Sequence, residues 1–399
     1  MTTGNNLDFA IEELTAFHLA FVDQPGYWED YRGGGATTTD ARFEFRPGWQ
    51  TVYPRRVETV LLRVRLTDGT VGWGEANCPI GPEITALICQ RLLLPMVRHR
   101  PFAHPQDLWD FLYDAQRGRG YAAGYYLDAL AALDIALWDG LGHRTGQPVA
   151  ALLCPQPRSW IPAYLSGLRQ ATLAERVATM NEWADTGIQG IKIFLDGDLN
   201  AGTAELAALQ QAGCDRIDQW MVDTLWMCRG NTATQAKDRF GQLGARFLEC
   251  PLQPEDLDGH RRLRGQPGTA IALGEHFRTH YQTRDWFAAP GALDVYQPDI
   301  GRTGLSDGLR QLAQATAADI PCTPHMGNGL AVFQAATLHF AAACTDEYLQ
   351  EYQAGLAVRA NLVASTDWIY AEGGFNLSHR PGLGVSVDEE AVARYTVPL

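Results

Sequence analysis

The chain has 399 residues, a hydrophobic fraction of 46%, a charged fraction of 20% and a formal net charge of −14. This length and composition are typical of a globular protein with two or three domains. The negative charge argues against nucleic acid or an anionic membrane surface as a partner, because both repel an acidic protein. It does not exclude an anionic substrate, since a bound metal ion can dominate the local field.

The sequence shows no sign of export or membrane insertion. Its N-terminus, MTTGNNLDF, lacks the basic region and apolar core of a signal peptide. No apolar run approaches the roughly 20 residues that a membrane helix needs. The eight cysteines are scattered and include no CxxC pair, as in a protein with reduced thiols. We therefore expect a cytoplasmic protein.

Residues 1–150 predict an α+β domain. Residues 11–21 alternate as a strand does, and residues 59–76 predict a hairpin whose turn is Asp68-Gly69. Helices are predicted at residues 84–97 and 106–116. A third helical segment, LDALAALDIALWDGL at 127–141, is so apolar that it must be largely buried.

A long polar stretch, residues 23–54, interrupts this domain. It contains a run of three glycines and seven aromatic residues, which are too many for a disordered tract. Loops of this length in compact domains usually serve function, so we interpret it as a lid that sets substrate specificity, with a purely structural excursion as the alternative. Trp28, Tyr31 and Arg32 are its candidate substrate-binding residues, because rigid rings and a forked cation suit polyhydroxy acids.

Residues 151–366 follow a different pattern. Strands are predicted at residues 160–165 and 190–194, and six further short apolar runs each end in a polar residue. These residues recur at intervals of 24 or 26: Asp223, Glu249, Glu275, Asp299, His325 and Glu351. A buried strand, a polar residue at its carboxyl end and then a helix make a βα unit, and units in succession predict a (β/α)-barrel whose strand ends carry the chemistry. Residues 367–399 are too loop-rich to extend the barrel and are expected to return to the first domain.

The first three acidic residues of this series predict a metal site. Asp223, Glu249 and Glu275 would end three consecutive strands, where ionised carboxylates repel one another unless a cation lies between them. Oxygen ligands without histidine or cysteine favour Mg²⁺, with Mn²⁺ as the alternative. Each carboxylate alone would more simply be a salt-bridged residue at the rim.

The next residues predict an acid–base pair. Asp299 and His325 would lie at adjacent strand ends, where a carboxylate fixes the tautomer of an imidazole and raises its basicity. A structural histidine is the alternative for a lone His. Glu351, on the eighth strand, could hydrogen-bond the substrate from the far side.

These features together resemble the enolase superfamily and, within it, the mandelate racemase subgroup. The resemblance covers the hairpin LTDGTVGWGEA, the helix LDALAALDIALWDGLGHRTGQPV, the six polar strand ends and the closing PGLGVSVDE. It implies a modified (β/α)₇β barrel with an α+β capping domain built from both termini. It also implies that the three acids bind Mg²⁺, that His325 with Asp299 abstracts an α-proton, and that Glu351 stabilises the enolate.

One departure from the subgroup bears on the reaction. The second strand of these enzymes usually ends in Lys-x-Lys, whose second lysine faces the histidine across the substrate, but here the segment is Lys192-Ile193-Phe194. Phe194 cannot move a proton, and one-base members of the subgroup are typically acid-sugar dehydratases. Rhamnonate-type dehydratases can carry Gly-Glu-His at the fifth strand, which implies a substrate-binding role for His276. Lys192 remains a candidate to bind a substrate carboxylate or hydroxyl.

We therefore expect a Mg²⁺-dependent sugar-acid dehydratase, a hydro-lyase that converts an aldonate or aldarate into a 2-keto-3-deoxy acid. The alternatives are a racemase or epimerase with Lys192 as second base, and a barrel that only binds a carboxylate. The expected partner is a small carboxylate, with no nucleic acid or membrane. A homo-oligomer is expected, although the sequence does not fix its size.

Overall fold

The computed structural model describes residues 8–24, 26, 28, 35, 37–38, 42–195, 198–213, 215–327, 329–344 and 348–399, with only the backbone at residues 38 and 356–358. No described helix is both long enough and apolar enough to cross a membrane.

An antiparallel three-stranded sheet forms the base of the capping domain. Its order is β1–β5–β6, and a second small sheet has the order β2–β3–β4. The hairpin between β5 and β6 is the predicted one: the side chain of Asp68 accepts a hydrogen bond from the Thr70 N–H at 2.9 Å, and Gly69 takes a positive φ of 88°. The strands are β1 (Ile11–Ala20), β2 (Thr37–Thr38), β3 (Phe43–Arg46), β4 (Thr51–Pro54), β5 (Glu58–Leu66) and β6 (Val71–Ala76).

The helices of the capping domain cover this sheet. They are α1 (Pro82–Ile88), a π-helical turn (Cys89–Leu93), α2 (Leu94–Val97), α3 (Pro105–Arg117), α4 (Tyr125–Thr145) and α5 (Val149–Leu153). As its composition predicted, α4 is buried around nearly its whole circumference, because it lies between the sheet and the barrel. Gly74 allows this close approach, since a Cβ there would collide with the carbonyl of Ala132.

Eight parallel strand segments form the barrel predicted from residue 151 onward. They are β7 (Trp160–Ser166), β8 (Gly190–Phe194), β9 (Gln219–Asp223), β10 (Phe247–Glu249), β11 (Ala270–Leu273), β12 (Val295–Tyr296), residues 322–325 and β13 (Gln350–Tyr352). The barrel closes because β13 pairs with β7 in parallel. The seventh segment is reduced to two isolated bridges, Tyr296 with Cys322 and Asp299 with His325.

One helix separates each pair of successive barrel strands. These are α6 (Leu173–Asp185), α7 (Leu199–Ala212), α8 (Asn231–Gln242), α9 (Leu257–Arg264), α10 (His280–Phe287), α11 (Ile300–Ala317) and α12 (Ala331–Ala341), and α13 (Ala354–Ala360) follows β13. The described residues thus confirm the (β/α)₇β barrel with its α+β capping domain.

The barrel interior is filled below its carboxyl-terminal mouth. Its buried cluster contains Tyr164, Met221, Phe247, Ala272 and Val295, one from each of five strands. Side chains two residues apart on a strand share a face, so the next inward positions on β9 and β10 are the carboxylates at their ends. The apolar layer therefore supports a polar layer at the mouth.

The C-terminal segment contacts both parts of the molecule. It contains β14 (Ala364–Thr366), β15 (Ile369–Ala371), β16 (Gly374–Asn376), β17 (Val385–Val387) and α14 (Glu389–Tyr395). The return to the first domain is observed, since the Val397 N–H donates to the carbonyl of His18 at 2.9 Å. The expectation that the segment does not extend the barrel sheet was wrong, because β16 pairs antiparallel with the start of β7. This strand has only three residues and is flanked by turn-forming residues, so the sequence pattern did not predict it.

Candidate active site

A cavity of about 470 Å³ lies between the mouth of the barrel and the capping domain. Its lining combines an aromatic side, formed by the lid and the second barrel strand, with a charged side. Its carboxylates, basic side chains and histidines are Asp128, Lys192, Asp223, Glu275, His276, Arg278, Arg302, His325 and Glu351. Four of the six predicted strand-end residues therefore line one cavity: Asp223, Glu275, His325 and Glu351.

Asp223 and Glu249 end neighbouring parallel strands in register with each other. Ligand atoms of Asp223, Glu249 and Cys250 lie within 4.8 Å of one another. Burial, reinforced by the charge of Glu249, raises the pKa of Asp223 well above its usual value, and burial also raises that of Glu249. Two buried carboxylates this close favour a cation between them. Burial likewise raises the pKa of the Cys250 thiol, so the carboxylates are the better ligands for a hard cation.

Glu275, the third predicted metal ligand, contacts the histidine in this structure. Its Oε2 lies 2.9 Å from Nε2 of His325, and it is not in the group of ligand atoms that includes Asp223 and Glu249. Gly274 carries the chain out of the strand with a φ of 150°, where a Cβ would collide with Tyr296. Burial alone would raise the pKa of Glu275, but the neighbouring His325 holds it below its usual range. Glu275 therefore lies between His325 and the carboxylates of Asp223 and Glu249.

Lys192 forms ion pairs with two of the buried carboxylates, one of which is a candidate metal ligand. Its Nζ lies 2.8 Å from Oε1 and 2.9 Å from Oε2 of Glu249, and 2.8 Å from Oε1 of Glu351. Burial alone would lower the pKa of Lys192, but these two carboxylates raise it well above its usual value. Lys192 therefore points into the barrel mouth, and its ammonium group balances two buried charges.

His325 and Asp299 form the dyad that the sequence predicted. Nδ1 of His325 lies 2.8 Å from Oδ2 of Asp299, and Nε2 faces Glu275 and, at 3.9 Å, Glu351. Asn77, on the capping domain, donates through Nδ2 to the same Oδ2 at 2.5 Å. Burial alone would lower the pKa of His325, but Glu275, Glu351 and Asp299 raise it well above its usual value. The dyad therefore points Nε2 into the cavity.

Glu351 is fixed on the eighth strand by two cations and a backbone amide. Its Oε2 accepts a hydrogen bond from the Met326 N–H at 2.8 Å, which ties it to the loop after His325. Burial raises its pKa, but Lys192 and His325 outweigh that effect and lower it. Glu351 is thus held as a carboxylate beside the base.

His276 lines the cavity but does not join the charged cluster. It is packed among aromatic rings, with Trp226 at 5.0 Å and Phe277 at 4.0 Å between centroids. Burial lowers its pKa to about 3, so the imidazole is neutral. Neither ring nitrogen has a hydrogen-bond partner in the described structure, which suits a ring that receives a polar ligand.

The aromatic side of the cavity joins the lid to the barrel. Trp28 is only 5% exposed, and its ring lies 5.5 Å from Phe194 in an edge-on arrangement, with Trp49 and Tyr53 also in contact. Phe194, which replaces the second lysine of the Lys-x-Lys motif, is therefore part of an apolar wall of the cavity. Tyr31 and Arg32, the other predicted lid residues, lie outside the described residues.

Sequence reasoning missed several polar residues at this site. Asn77 directly follows the hairpin motif GWGEA, Arg302 follows Asp299 by three residues, and Gln297 donates to Glu249 at 2.9 Å. Arg278 forms an ion pair with Asp128 of the capping domain at 2.8 Å. Proximity in sequence to the motifs could have indicated Asn77 and Arg302, but the pairing of Arg278 with Asp128 spans two domains and had no local signal.

Two family models match most of the chain. Residues 173–391 match the enolase C-terminal domain-like family, and residues 42–154 match the N-terminal domain of the mandelate racemase / muconate lactonizing enzyme family. The chain belongs to the enolase superfamily. Both matches place it in the mandelate racemase subgroup, whose members are enzymes that generally bind Mg²⁺.

Individual relatives match this chain over most of its length and of their own. D-galactarolactone cycloisomerase of Agrobacterium fabrum is 29% identical over 85% of this chain and 91% of its own length. D-galactonate dehydratase of Pectobacterium atrosepticum is 26% identical over 86% of this chain and 92% of its own length. The crystal structure of an enolase superfamily member from Agrobacterium tumefaciens is 31% identical, with a TM-score of 0.89 over 97% of this chain and 98% of that one.

Proposed function

We propose that this superfamily member is a Mg²⁺-dependent dehydratase of a sugar acid, an aldonate or aldarate, and that it produces a 2-keto-3-deoxy acid. The observation that carries the proposal is that the described residues of the cavity offer a base on one face only. His325 presents Nε2 to the cavity, whereas Phe194 and Trp28 form an apolar wall. Elimination needs one base, but racemisation needs acid–base groups on both faces of the carbon.

The donor set fits a divalent metal. Asp223 and Glu249 converge as buried oxygen ligands, and Glu275 is the adjacent carboxylate that would complete the set. A divalent cation held there would neutralise these charges and, as a Lewis acid, stabilise the negative charge that develops on the substrate carboxylate. With Glu275 neutralised, His325 would lose the contact that most favours its protonated form.

The proton transfers are carried out by His325, which other residues of the chain orient. His325 takes the α-proton on Nε2, while Asp299 and Asn77 hold its ring and fix Nδ1 as the donor to Asp299. The protonated His325 can return the proton to the departing 3-hydroxyl if both groups lie on the same face. Lys192 would place its ammonium group against the substrate's acid group, and Glu351 holds that ammonium group in position at 2.8 Å. Tautomerisation of the resulting enol gives the 2-keto acid.

A racemase or epimerase with Lys192 as the second base is less well supported. The ammonium of Lys192 is paired with Glu249 and Glu351, and these carboxylates raise its pKa, so it is protonated and cannot accept a proton. A barrel that only binds a carboxylate is disfavoured by membership of an enzyme superfamily together with an oriented His–Asp dyad.

A second candidate, a cycloisomerase of a sugar-acid lactone, has support from the 29% identity to a galactarolactone cycloisomerase. The proton abstraction would be the same, but the leaving group would be the ring carboxylate oxygen instead of a hydroxyl. Such a reaction needs no acid for the leaving group.

The test is a screen of the purified protein with Mg²⁺ against open-chain aldonates and aldarates and their lactones, with detection of 2-keto acids. Product from open-chain acids supports the dehydratase, and product from lactones alone supports the cycloisomerase. Inversion at Cα without a 2-keto product would contradict both and favour an epimerase.

A further inference from the structure

The guanidinium group of Arg302 lines the cavity and forms no ion pair with a carboxylate of the described residues. Lys192 is bound by its two glutamates, and Arg278 is paired with Asp128 at 2.8 Å and 3.3 Å. No ion pair joins Arg302 to a carboxylate of the described part of the chain. Its described contact is neutral, a hydrogen bond of 2.9 Å from Nη1 to the backbone carbonyl of Glu275, and its Nε is buried without a partner.

Arg302 approaches the cavity from the side opposite Lys192. It begins helix α11 after the sixth barrel strand, whereas Lys192 lies on the second, and these strands face each other in a closed barrel of eight. The charges nearest Arg302 are the carboxylates of Asp299, Glu275 and Asp128, and because Asp128 belongs to the capping domain the guanidinium lies where the barrel meets the cap. A substrate whose reacting carboxylate binds near the metal-site acids and Lys192 would extend across the cavity. Arg302 would then be available to bind the opposite end of that substrate.

Two further side chains on this part of the cavity have unused polar atoms. Asn77 is 4% exposed, and its Oδ1 is buried without a partner. His276 has two buried ring nitrogens without a hydrogen-bond partner in the described structure. Buried polar atoms without partners are costly, so such a group of them is expected where a polar ligand binds.

We propose that Arg302, with Asn77 and His276, forms a subsite for the second carboxylate and adjacent hydroxyls of a sugar diacid, so that aldarates are preferred to aldonates. The proposal rests on the dehydratase function and names its substrate class. The planar fork of a guanidinium matches a carboxylate in a bidentate arrangement. An aldonate would place a neutral hydroxymethyl group there and leave the guanidinium unpaired.

The experiment compares matched pairs of acids, galactarate with galactonate and glucarate with gluconate. Arg302→Met removes the charge, and Arg302→Gln keeps a donor for the Glu275 carbonyl if the first variant folds poorly. Arg310→Gln is the control, because Arg310 lies on the same helix but pairs with Asp110 outside the cavity. We expect wild type to prefer the diacid, and the Arg302 variants to lose on the order of 100-fold in kcat/KM for diacids. For monoacids we expect a change below about threefold.

A binding measurement separates this proposal from the proposed reaction. In a His325→Asn background, calorimetry with Mg²⁺ present should show tighter binding of the diacid than of its monoacid, and Arg302→Gln should abolish the difference. That result would support the subsite even if no acid in the panel were dehydrated. A wild-type preference for monoacids, or an equal loss for both classes in the Arg302 variants, would overturn the proposal, because Arg302 would then serve the reacting carboxylate or the loop of Glu275.

Discussion

The ammonium of Lys192 lies 2.8 Å from Oε1 of Glu249, so a buried lysine neutralises a carboxylate that is proposed to bind metal. The same Nζ contacts Glu351, and both partners are almost fully buried. Breaking a buried pair of this kind leaves a charge without compensation. Lys192 and a bound cation are therefore both expected to neutralise the negative charge of these acids.

The first prediction follows from this sharing. Lys192→Met should destabilise the metal-free protein by on the order of 3 kcal/mol, and added Mg²⁺ should recover more stability in the variant than in wild type. Thermal unfolding with and without Mg²⁺ measures both effects. Lys237→Met is the matched control, because Lys237 is also buried but donates to the backbone carbonyl of Thr269 far from the acids. An equal response to Mg²⁺ in both variants would contradict the interpretation.

The second prediction concerns metal removal. Because Asp223 and Glu249 are buried beside each other, activity should disappear when the protein is treated with a chelator and return when Mg²⁺ is added. Turnover and elemental analysis of the treated protein check this together. Full turnover by a preparation that contains no metal would disprove the metal site.

The third prediction concerns the base. His325→Asn should lower both elimination and exchange of the α-proton with D₂O by at least about 10²-fold, which is the usual contribution of a positioned general base. Proton NMR in D₂O measures the exchange. His379→Asn is the control, since His379 is exposed on the C-terminal segment. Exchange at a near wild-type rate in His325→Asn would identify another base and favour the epimerase.

The fourth prediction concerns the lid. Trp28→Ala removes the ring that packs on Phe194 at 5.5 Å, so KM should rise or substrate preference should change while the barrel stays folded. Steady-state kinetics across several acids, together with circular dichroism, test this. Trp160→Ala, at an exposed tryptophan outside the cavity, should leave KM unchanged. Unchanged kinetics in Trp28→Ala would leave only a structural role for the lid.

The fifth prediction concerns pH and the joint between capping domain and barrel. Asp134 on α4 accepts hydrogen bonds from the N–H and hydroxyl of Ser306 on α11, and burial raises its pKa to about 7 from the usual 3.8. The folded state therefore favours the neutral acid, and its advantage, present below the unfolded pKa of 3.8, is lost as the pH rises to about 7.

Asp134→Asn should remove that dependence, because the amide can still accept from the Ser306 N–H and donate to its hydroxyl. Relative to this variant, wild type should lose up to about 4 kcal/mol of unfolding free energy between pH 4 and 8. Denaturant unfolding at several pH values measures the difference. A difference that stays constant with pH would show that Asp134 is ionised in the folded protein throughout this range.

The sequence by itself determined the repeating βα pattern, the barrel and the residues at its strand ends. Its period of about 25 residues sets one βα unit, and the alternation along each strand sends Asp223 and Glu249 inward with the apolar layer below them. It also determined the neighbours Asp299 and His325, because consecutive strands in such a barrel are adjacent. These features depend on local periodicity, which a sequence shows directly.

Only the tertiary structure decided which charges pair. The contacts of Lys192 with Glu249 and Glu351, of Asn77 with Asp299 and of Arg278 with Asp128 join residues far apart in the chain. Packing of the cap on the barrel brings these groups together, and their energies depend on distances of a few ångströms and on burial. The short antiparallel strand β16 on β7 is of the same kind, since its hydrogen-bond partners are more than 200 residues away and leave no periodic signal.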